Sequence, residues 1–119
     1  MFLFRRGTAR VTPAQARRRT TEGEAVLLDV RERSEWDAGH APGAVHLPLS
    51  RLLAGADLPP AARRGPLVVI CRSGRRSRQA TELLTARGVE AVDVKGGMSA
   101  WAAAGLPVLD ARGDGGRTA

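Results

Sequence analysis

Residues 67–77 read LVVICRSGRRS, and this stretch predicts both the fold and the position of a site. Leu67–Ile70 is a short, continuous apolar run, which is typical of a strand covered on both faces of a parallel sheet. Cys71 follows directly, and a loop containing Gly74 then leads into an amphipathic helix, predicted over residues 76–87. The sequence therefore places Cys71 at the carboxyl end of a central strand.

Similar apolar runs lie on both sides of this stretch. Ala25–Val30, Ala44–Leu47 and Ala91–Val94 are predicted strands, and no hairpin signal joins any two of them. The helices predicted between and around the strands begin at a capping hydroxyl or end before a glycine: residues 13–19 after Thr12, residues 34–38 with Ser34 as cap, residues 50–54, residues 76–87 before Gly88, and residues 99–104. This alternation predicts an α/β fold with a mostly parallel central sheet and helices on both faces. Ligands bind such sheets beyond the carboxyl ends of the strands.

The length of 119 residues predicts a single domain. We place that domain at residues 11–109, with a flexible arm or short edge piece at residues 1–10 and a disordered, glycine-rich tail at residues 110–119. Aromatic residues make up only 3% of the chain, so Trp36 and Trp101 are predicted to be the largest pieces of its core.

The net charge and the single cysteine limit which ligands and which kinds of site are expected. The net charge is +7, but the arginines are scattered and no aromatic residues are interleaved with them, so a small anionic ligand is favoured over nucleic acid. No apolar stretch reaches the roughly 18 residues of a membrane span, and we expect a cytoplasmic protein. One cysteine excludes an internal disulfide and a multi-cysteine metal site. We expect neither a metal nor a cofactor.

The loop after Cys71 carries the candidate chemistry. Gly74 permits a backbone conformation in which successive amides turn toward one point, as a nest for an anion in front of a helix N-terminus. Those amides and the nearby guanidinium groups favour the thiolate of Cys71, which predicts a catalytic nucleophile rather than a buried apolar filler. Arg76 is expected to close the loop and point inward, and Arg72 and Arg75 to line its rim. The predicted substrate-binding residues are Arg72, Ser73, Gly74, Arg75, Arg76 and Ser77.

Other polar residues are predicted to have supporting roles. Asp29 and Arg31 end the strand beside the Cys71 strand, where Asp29 either orients a loop arginine or, as we favour, forms an ordinary strand-end ion pair. His40 has no acid or second histidine at a triad-like spacing, so catalysis is not its expected role, and His46 is a weaker candidate still. Gly96 and Gly97 predict a tight turn near the site, since no phosphate-loop pattern follows them.

Three segments together resemble the signature blocks of the rhodanese family: LLDVRERSEWDAGHAPGA, VVICRSGRRS and VKGGMSAW, within residues 11–109. The resemblance implies that Cys71 opens a six-residue loop closed by Arg76 and accepts a sulfane sulfur as a persulfide. It also implies thiosulfate or a similar small anion as donor, cyanide, an external thiol or a thiol protein as acceptor, and a bracing role for His40. The chain is thus expected to be a thiosulfate sulfurtransferase.

Alternative functions remain open on the sequence. Cysteine phosphatases of this fold place arginine six positions after cysteine, but residue 77 is Ser and Arg76 comes one position earlier, which favours sulfur over phosphate. Arsenate reduction also uses a single cysteine in a cationic loop. A non-catalytic sulfur carrier or partner-binding module would have the same sequence features.

Overall fold

The computed structural model describes residues 9–110, 112 and 115, so the predictions for residues 1–8 and for most of residues 111–119 fall outside it. Its five strands, numbered along the chain, are β1 (Arg10–Val11), β2 (Val26–Asp29), β3 (Val45–His46), β4 (Leu67–Ile70) and β5 (Ala91–Val94). Its five α-helices are α1 (Pro13–Thr21), α2 (Arg33–Ala38), α3 (Leu49–Leu53), α4 (Arg75–Ala86) and α5 (Gly97–Ala103).

The strands form one sheet in the order β1-β5-β4-β2-β3, and every neighbouring pair is parallel. Strand β4 therefore lies in the middle of the sheet, where Val69 is in register with Leu28 of β2 and Asp93 of β5. All four of its residues are buried. The predicted parallel α/β class is confirmed, and Cys71 leaves the sheet from its central strand.

Alternate side chains of the central strands enter two separate cores. On one face, Leu67 and Val69 pack in a cluster that includes Leu52 of α3 and Leu84 of α4. On the other face, Val68 and Ile70 pack in a second cluster, with side chains that include Ala16 of α1 and Trp101 of α5. Because neighbouring residues of a strand point to opposite faces, a strand buried on both sides must be apolar throughout. The predicted helices on both faces are thereby confirmed.

Helix ends differ from the predictions by one or two residues, and the start of α2 has a clear local cause. Helix α2 begins at Arg33 after Glu32, not after Ser34, because the Glu32 amide donates to the Glu35 carboxylate three residues on (3.0 Å). Helix α4 begins directly after Gly74 and ends before Gly88, which has the predicted left-handed conformation (φ +85°).

The structure decides between alternatives at the two ends of the domain and adds one element within a connection. Arg10 belongs to the segment predicted as a flexible arm or a short edge piece, and it lies in edge strand β1, where it pairs with Asp93 of β5. The connection at residues 55–66 contains a short 3-10 helix, Pro60–Arg63, that the sequence analysis missed. For residues 106–108 the sequence allows either an edge strand or a segment lying flat on the domain, and the second is observed: Leu106 and Val108 form no strand and pack against the second core cluster.

The two tryptophans have different environments. Trp101 is fully buried in the second core, and its indole Nε1 donates to the Pro107 carbonyl (2.9 Å). Trp36 is only half-buried and stacks on His40, with ring centroids 3.7 Å apart, and on His46, with ring centroids 4.8 Å apart. The prediction that both are core pieces is confirmed for Trp101 and wrong for Trp36, because α2 contributes no buried residue.

Candidate active site

Cys71 is the first residue after β4 and lies at the carboxyl end of the sheet. Its sulfur accepts a hydrogen bond from the Gly74 amide, with Sγ and N 3.1 Å apart, and lies 3.4 Å from the Ser77 hydroxyl. Cys71 is 1% exposed, and Gly74 and Ser77 are also buried. The thiol therefore lies at the base of the loop, among polar donors, rather than in an apolar core alone.

The backbone of the loop depends on Gly74. Its φ of +111° lies in the left-handed region, which other residues adopt at a cost, and this conformation points its amide back at the sulfur. The loop sequence predicts that several amides converge on the sulfur. In the described loop the Gly74 amide alone bonds it, and the other close polar group is the Ser77 hydroxyl.

The loop residues separate into a buried base and an exposed rim. Arg72, Ser73 and Arg75 are exposed, as expected for the two rim arginines. A cavity of about 460 Å³ beside the loop is lined by polar and charged side chains and by Gly74: Arg10, Ser73, Arg75, Arg78, Gln79 and Glu82. Cys71 does not line this cavity, in agreement with its burial.

The Gly96–Gly97 turn lies against the backbone at the start of the loop. The amides of Met98 and Ser99, in the first turn of α5, donate to the carbonyls of Cys71 (2.7 Å) and Arg72 (2.9 Å). A Cβ on Gly97 would lie 2.4 Å from the Cys71 carbonyl oxygen, so only glycine allows this approach. The predicted tight turn near the site thus holds the backbone on which the nucleophile sits.

Arg76 is anchored by a residue that the sequence analysis missed. Its guanidinium donates two hydrogen bonds to the Glu35 carboxylate of α2, 2.6 and 2.8 Å long. These bonds lower the pKa of Glu35 from 4.5 to about 2, against the opposing effect of burial. The same contact raises the pKa of Arg76. The prediction that Arg76 simply points inward was incomplete, because Glu35 fixes and partly neutralises its charge.

A second carboxylate reaches the loop from β5. Asp93 is fully buried, and its Oδ2 lies 3.2 Å from the Ser77 hydroxyl. Arg10 of β1 closes the chain of contacts, since its Nε and Nη2 donate to Asp93 Oδ1 (3.1 Å) and Oδ2 (3.0 Å). Neither residue is predicted from the sequence to belong to the site. A charged residue inside the apolar run AVDV was the signal that could have indicated Asp93.

Asp29 and Arg31 form the strand-end ion pair that we favoured, and it is completely buried. Arg31 Nη2 lies 2.7 Å from Asp29 Oδ2 and also donates to the Gly39 carbonyl (2.6 Å). Arg31 Nη1 has no hydrogen-bond partner among the described residues. The Asp29 carboxylate is therefore engaged by Arg31 rather than by a loop arginine, and the pair joins the end of β2 to the end of α2.

The two histidines brace the loop that follows α2. A hydrogen bond links His40 Nδ1 to the Trp36 carbonyl (2.8 Å), and another links His46 Nε2 to the Arg31 carbonyl (2.7 Å). Both rings also stack on Trp36. The geometry therefore gives both histidines structural contacts away from Cys71.

Two other kinds of feature are absent among the described residues. Within the part of the chain that the structure describes, no three His, Cys, Asp or Glu side chains are grouped so as to hold a metal ion. None of the described helices has the length and apolar character needed to cross a membrane.

The sequence matches the family model of the rhodanese-like domain over residues 12–104. A curated relative, the adenylyltransferase and sulfurtransferase UBA4 of Yarrowia lipolytica, is 34% identical over 93 residues, which are 78% of this chain. The chain spans only 23% of the length of that relative. The match therefore concerns one domain of a longer protein.

Solved structures show the same fold. A rhodanese-related protein from Thermoplasma volcanium superposes with a TM-score of 0.73 at 30% identity, covering 85% of this chain and 97% of its own. The Alr3790 protein from Anabaena sp. gives a TM-score of 0.69 at 31% identity, covering 84% of this chain and 80% of its own. A protein of unknown function from Rhodopseudomonas palustris, described as a possible tyrosine phosphatase, gives a TM-score of 0.70 at 26% identity, covering 84% of this chain and 83% of its own.

Proposed function

The chain belongs to the rhodanese-like domain family, and on this premise we propose that it is a sulfurtransferase that carries a sulfane sulfur on Cys71. One observation carries the proposal. The only cysteine of the chain lies at the carboxyl end of the central strand, with its sulfur 3.1 Å from the Gly74 amide, inside a loop with cationic residues. Hydrogen-bond donors and positive charge favour a thiolate, which is the nucleophilic form of cysteine.

The proposed first step moves one sulfur atom from a small anionic donor such as thiosulfate. The Cys71 thiolate attacks the outer sulfur of thiosulfate, a new S–S bond forms, and the old S–S bond breaks with its electron pair leaving on sulfite. The products are the Cys71 persulfide anion and sulfite, so atoms and charge balance. In the second step an acceptor nucleophile attacks the outer sulfur and restores the thiolate.

The exposed rim of the loop suits an anionic donor. Arg72 and Arg75 are exposed, and Arg75 lines the polar cavity beside the loop together with Arg78. Guanidinium groups bind the oxygens of sulfonate-like anions by charge-assisted hydrogen bonds. The rim therefore supports initial binding of the donor, and the Gly74 amide lies at the reacting sulfur.

The acceptor must come from outside the chain. No second cysteine exists to resolve the persulfide as an internal disulfide, so cyanide, a small thiol or a thiol protein must remove the sulfur. A lone reactive thiol of this kind stays reduced in the cytoplasm, and we propose that location.

Burial of Cys71 sets a requirement on the reaction. At 1% exposure, the thiol is not open to a donor in the conformation described here. The loop around the sulfur must therefore open as the donor enters. A small donor needs less movement than a bulky one, which favours thiosulfate-sized anions.

The direct test is the intact mass of the full chain after incubation with thiosulfate. We expect a gain equal to one sulfur atom, reversed by cyanide with release of thiocyanate. The Cys71→Ser variant is the matched control and should gain nothing. An unchanged mass in the wild-type protein, with thiosulfate and with an organic persulfide donor, would contradict the proposal.

Hydrolysis of a phosphate ester, measured in parallel with sulfur transfer, tests the phosphatase alternative. Because Ser77 occupies the position where the phosphatase loop carries arginine, we expect no Cys71-dependent hydrolysis. Turnover of the ester that is lost in Cys71→Ser would instead support the phosphatase alternative.

A further inference from the structure

A chain of polar contacts runs from the edge of the sheet to the nucleophile. Arg10 of β1 binds Asp93 of β5, Asp93 approaches the Ser77 hydroxyl at 3.2 Å, and that hydroxyl lies 3.4 Å from Cys71 Sγ. Asp93, Ser77 and Cys71 are at most 1% exposed, and the Arg10 side chain is 30% exposed. Solvent thus reaches only the far end of the chain of contacts.

The Ser77 hydroxyl has a single hydrogen for several neighbours. Its oxygen lies 3.3 Å from the Gly74 carbonyl and 3.2 Å from Asp93 Oδ2, and both of these groups can only accept. When Cys71 is a thiol, it can donate to the Ser77 oxygen while Ser77 donates to Asp93. When Cys71 is a thiolate, it needs the same hydroxyl hydrogen. Asp93 and the thiolate therefore compete for one proton donor.

The charge of Asp93 also acts on the sulfur. A buried carboxylate near Cys71 opposes a second negative charge there, and the bidentate contact from Arg10 offsets this repulsion. The other charged groups around the loop are arranged as follows: Arg76 is paired with Glu35 of α2, Asp29 with Arg31 on β2, and Arg72 and Arg75 are exposed on the loop itself. Arg10 is thus the cation that balances the carboxylate bonded to Ser77.

Arg10 also contacts the loop directly. A Cβ built on Gly74 would lie 2.7 Å from Arg10 Nη2, so the guanidinium packs against the residue whose amide bonds the sulfur. One side chain therefore adjoins both the backbone donor and, through Asp93, the hydroxyl donor of Cys71.

We propose that Arg10 and Asp93 are positioning residues that set the reactivity of Cys71 through Ser77. Arg10 holds the Asp93 carboxylate and compensates its charge, and Asp93 controls how much of the Ser77 hydrogen is available to the sulfur. The inference rests on the proposed function of Cys71 as a nucleophile, and it extends the site to the edge strand β1.

The test measures the rate at which iodoacetamide alkylates Cys71 as a function of pH, in the full chain. The reaction has one target because the chain has one cysteine, and it does not require any sulfur transfer. Arg10→Gln leaves the Asp93 charge uncompensated, so the midpoint of the pH profile should move up by about 1 pH unit. Asp93→Asn removes that charge and weakens the competing acceptor, so its midpoint should move down by a similar amount. The double variant should return close to wild type.

Further variants separate this role from general effects on the fold. Arg10→Lys keeps the positive charge and should keep most of the wild-type profile. Arg64→Gln is the matched control, because it also removes one positive charge. Arg64 is exposed and lies at the amino ends of β2 and β4, near Val26 and Pro66, whereas Cys71 lies at the carboxyl end of the sheet. In a Ser77→Ala background, the shift caused by Asp93→Asn should shrink, because the hydroxyl that links the two groups is gone.

The outcomes are distinguishable. Opposite shifts in Arg10→Gln and Asp93→Asn that cancel in the double variant support the proposal, even if thiosulfate leaves the mass unchanged and the sulfurtransferase proposal fails. Shifts no larger than that of Arg64→Gln would overturn it. Shifts in the same direction in both single variants would also overturn it, since they would report a disturbed loop rather than compensated charge.

Discussion

The Cys71 loop is held on two sides by different kinds of contact. On one side the Gly96–Gly97 turn lies against its backbone, with hydrogen bonds of 2.7 and 2.9 Å to the Cys71 and Arg72 carbonyls. On the other side Glu35 binds the Arg76 side chain, which is 32% exposed. The first contact joins backbone to backbone, and the second joins two flexible side chains.

The backbone contact sets the conformation of the loop, and the ion pair sets the charge at its Arg76 side. The glycine contact is steric and does not titrate, and neighbouring backbone cannot move aside cheaply. The ion pair is electrostatic and titratable, and solvent screens it in part. Substitution on the glycine side should therefore displace the nucleophile, whereas substitution on the ion-pair side should mainly change the charge available to the substrate.

The largest effect is expected from Gly97→Ala. Its φ of +57° and the clash of a Cβ with the Cys71 and Arg72 backbone predict a loss of about 3–5 kcal/mol in the free energy of unfolding. Gly23→Ala is the matched control, because Gly23 has φ +78° but nothing within 4 Å of its Cβ position. It should lose about 1–2 kcal/mol, from strain alone. Urea denaturation of both variants measures the difference.

Equal losses in the two glycine variants would show that backbone conformation, not close approach, sets the cost. The Gly96–Gly97 contact would then not be the steric constraint on the loop that distinguishes it from the Glu35–Arg76 ion pair.

An intermediate effect is expected from Arg76→Ala on donor binding. Loss of a charge-assisted contact of about 1.5–3 kcal/mol should raise the thiosulfate concentration for half-maximal persulfide formation by roughly 10- to 100-fold. Glu35→Gln frees the guanidinium from its carboxylate and should leave this concentration unchanged or lower. Intact-mass titration with thiosulfate follows both variants. A rise of similar size in both would mean that Arg76 acts only by bracing the loop.

The smallest effect is expected on stability from Glu35→Gln. Contact with Arg76 lowers the pKa of Glu35 from 4.5 to about 2, so the carboxylate stabilises the fold at neutral pH. After allowance for partial exposure we expect a loss of about 1–2 kcal/mol. A lowered pKa in the folded state gives stability that is complete above about pH 4.5 and is lost as the pH falls toward 2. The difference between wild type and Glu35→Gln should shrink over that interval.

Asp37→Asn is the control for this measurement. Its ion pair with Arg33 joins residues four apart on α2, with side chains 78% exposed for Arg33 and 45% for Asp37. A pair this exposed should contribute only about 0–0.5 kcal/mol. A loss in Asp37→Asn as large as that in Glu35→Gln would show that α2 itself, rather than its contact with the loop, is being measured.

Much of the fold was predictable because it depends on local patterns. Apolar runs of strand length gave β2, β4 and β5, and Gly88 gave the end of α4. The parts left open or missed lack such a pattern. Strand β1 has only two residues, and the short 3-10 helix lies in a segment rich in proline and glycine. Neither is long enough to show a periodicity.

The candidate site was predictable only along its own loop. Cys71 and Gly74 are only three residues apart in sequence, and their relation follows from the conformational freedom of glycine at φ +111°. Glu35 and Arg76 are 41 residues apart, and Arg10 and Asp93 are 83 apart. A sequence of 19 basic and 12 acidic residues offers many possible pairs, and nothing local selects these two.

The sequence by itself determined that a cysteine follows a buried strand and precedes a glycine-bearing, cationic loop. The tertiary structure decided which charges surround that cysteine. The strand order β1-β5-β4-β2-β3 brings Arg10 beside Asp93, and the packing of α2 brings Glu35 to Arg76. Local conformation follows from each residue and its neighbours, whereas the field at the sulfur depends on distances that only the completed packing sets.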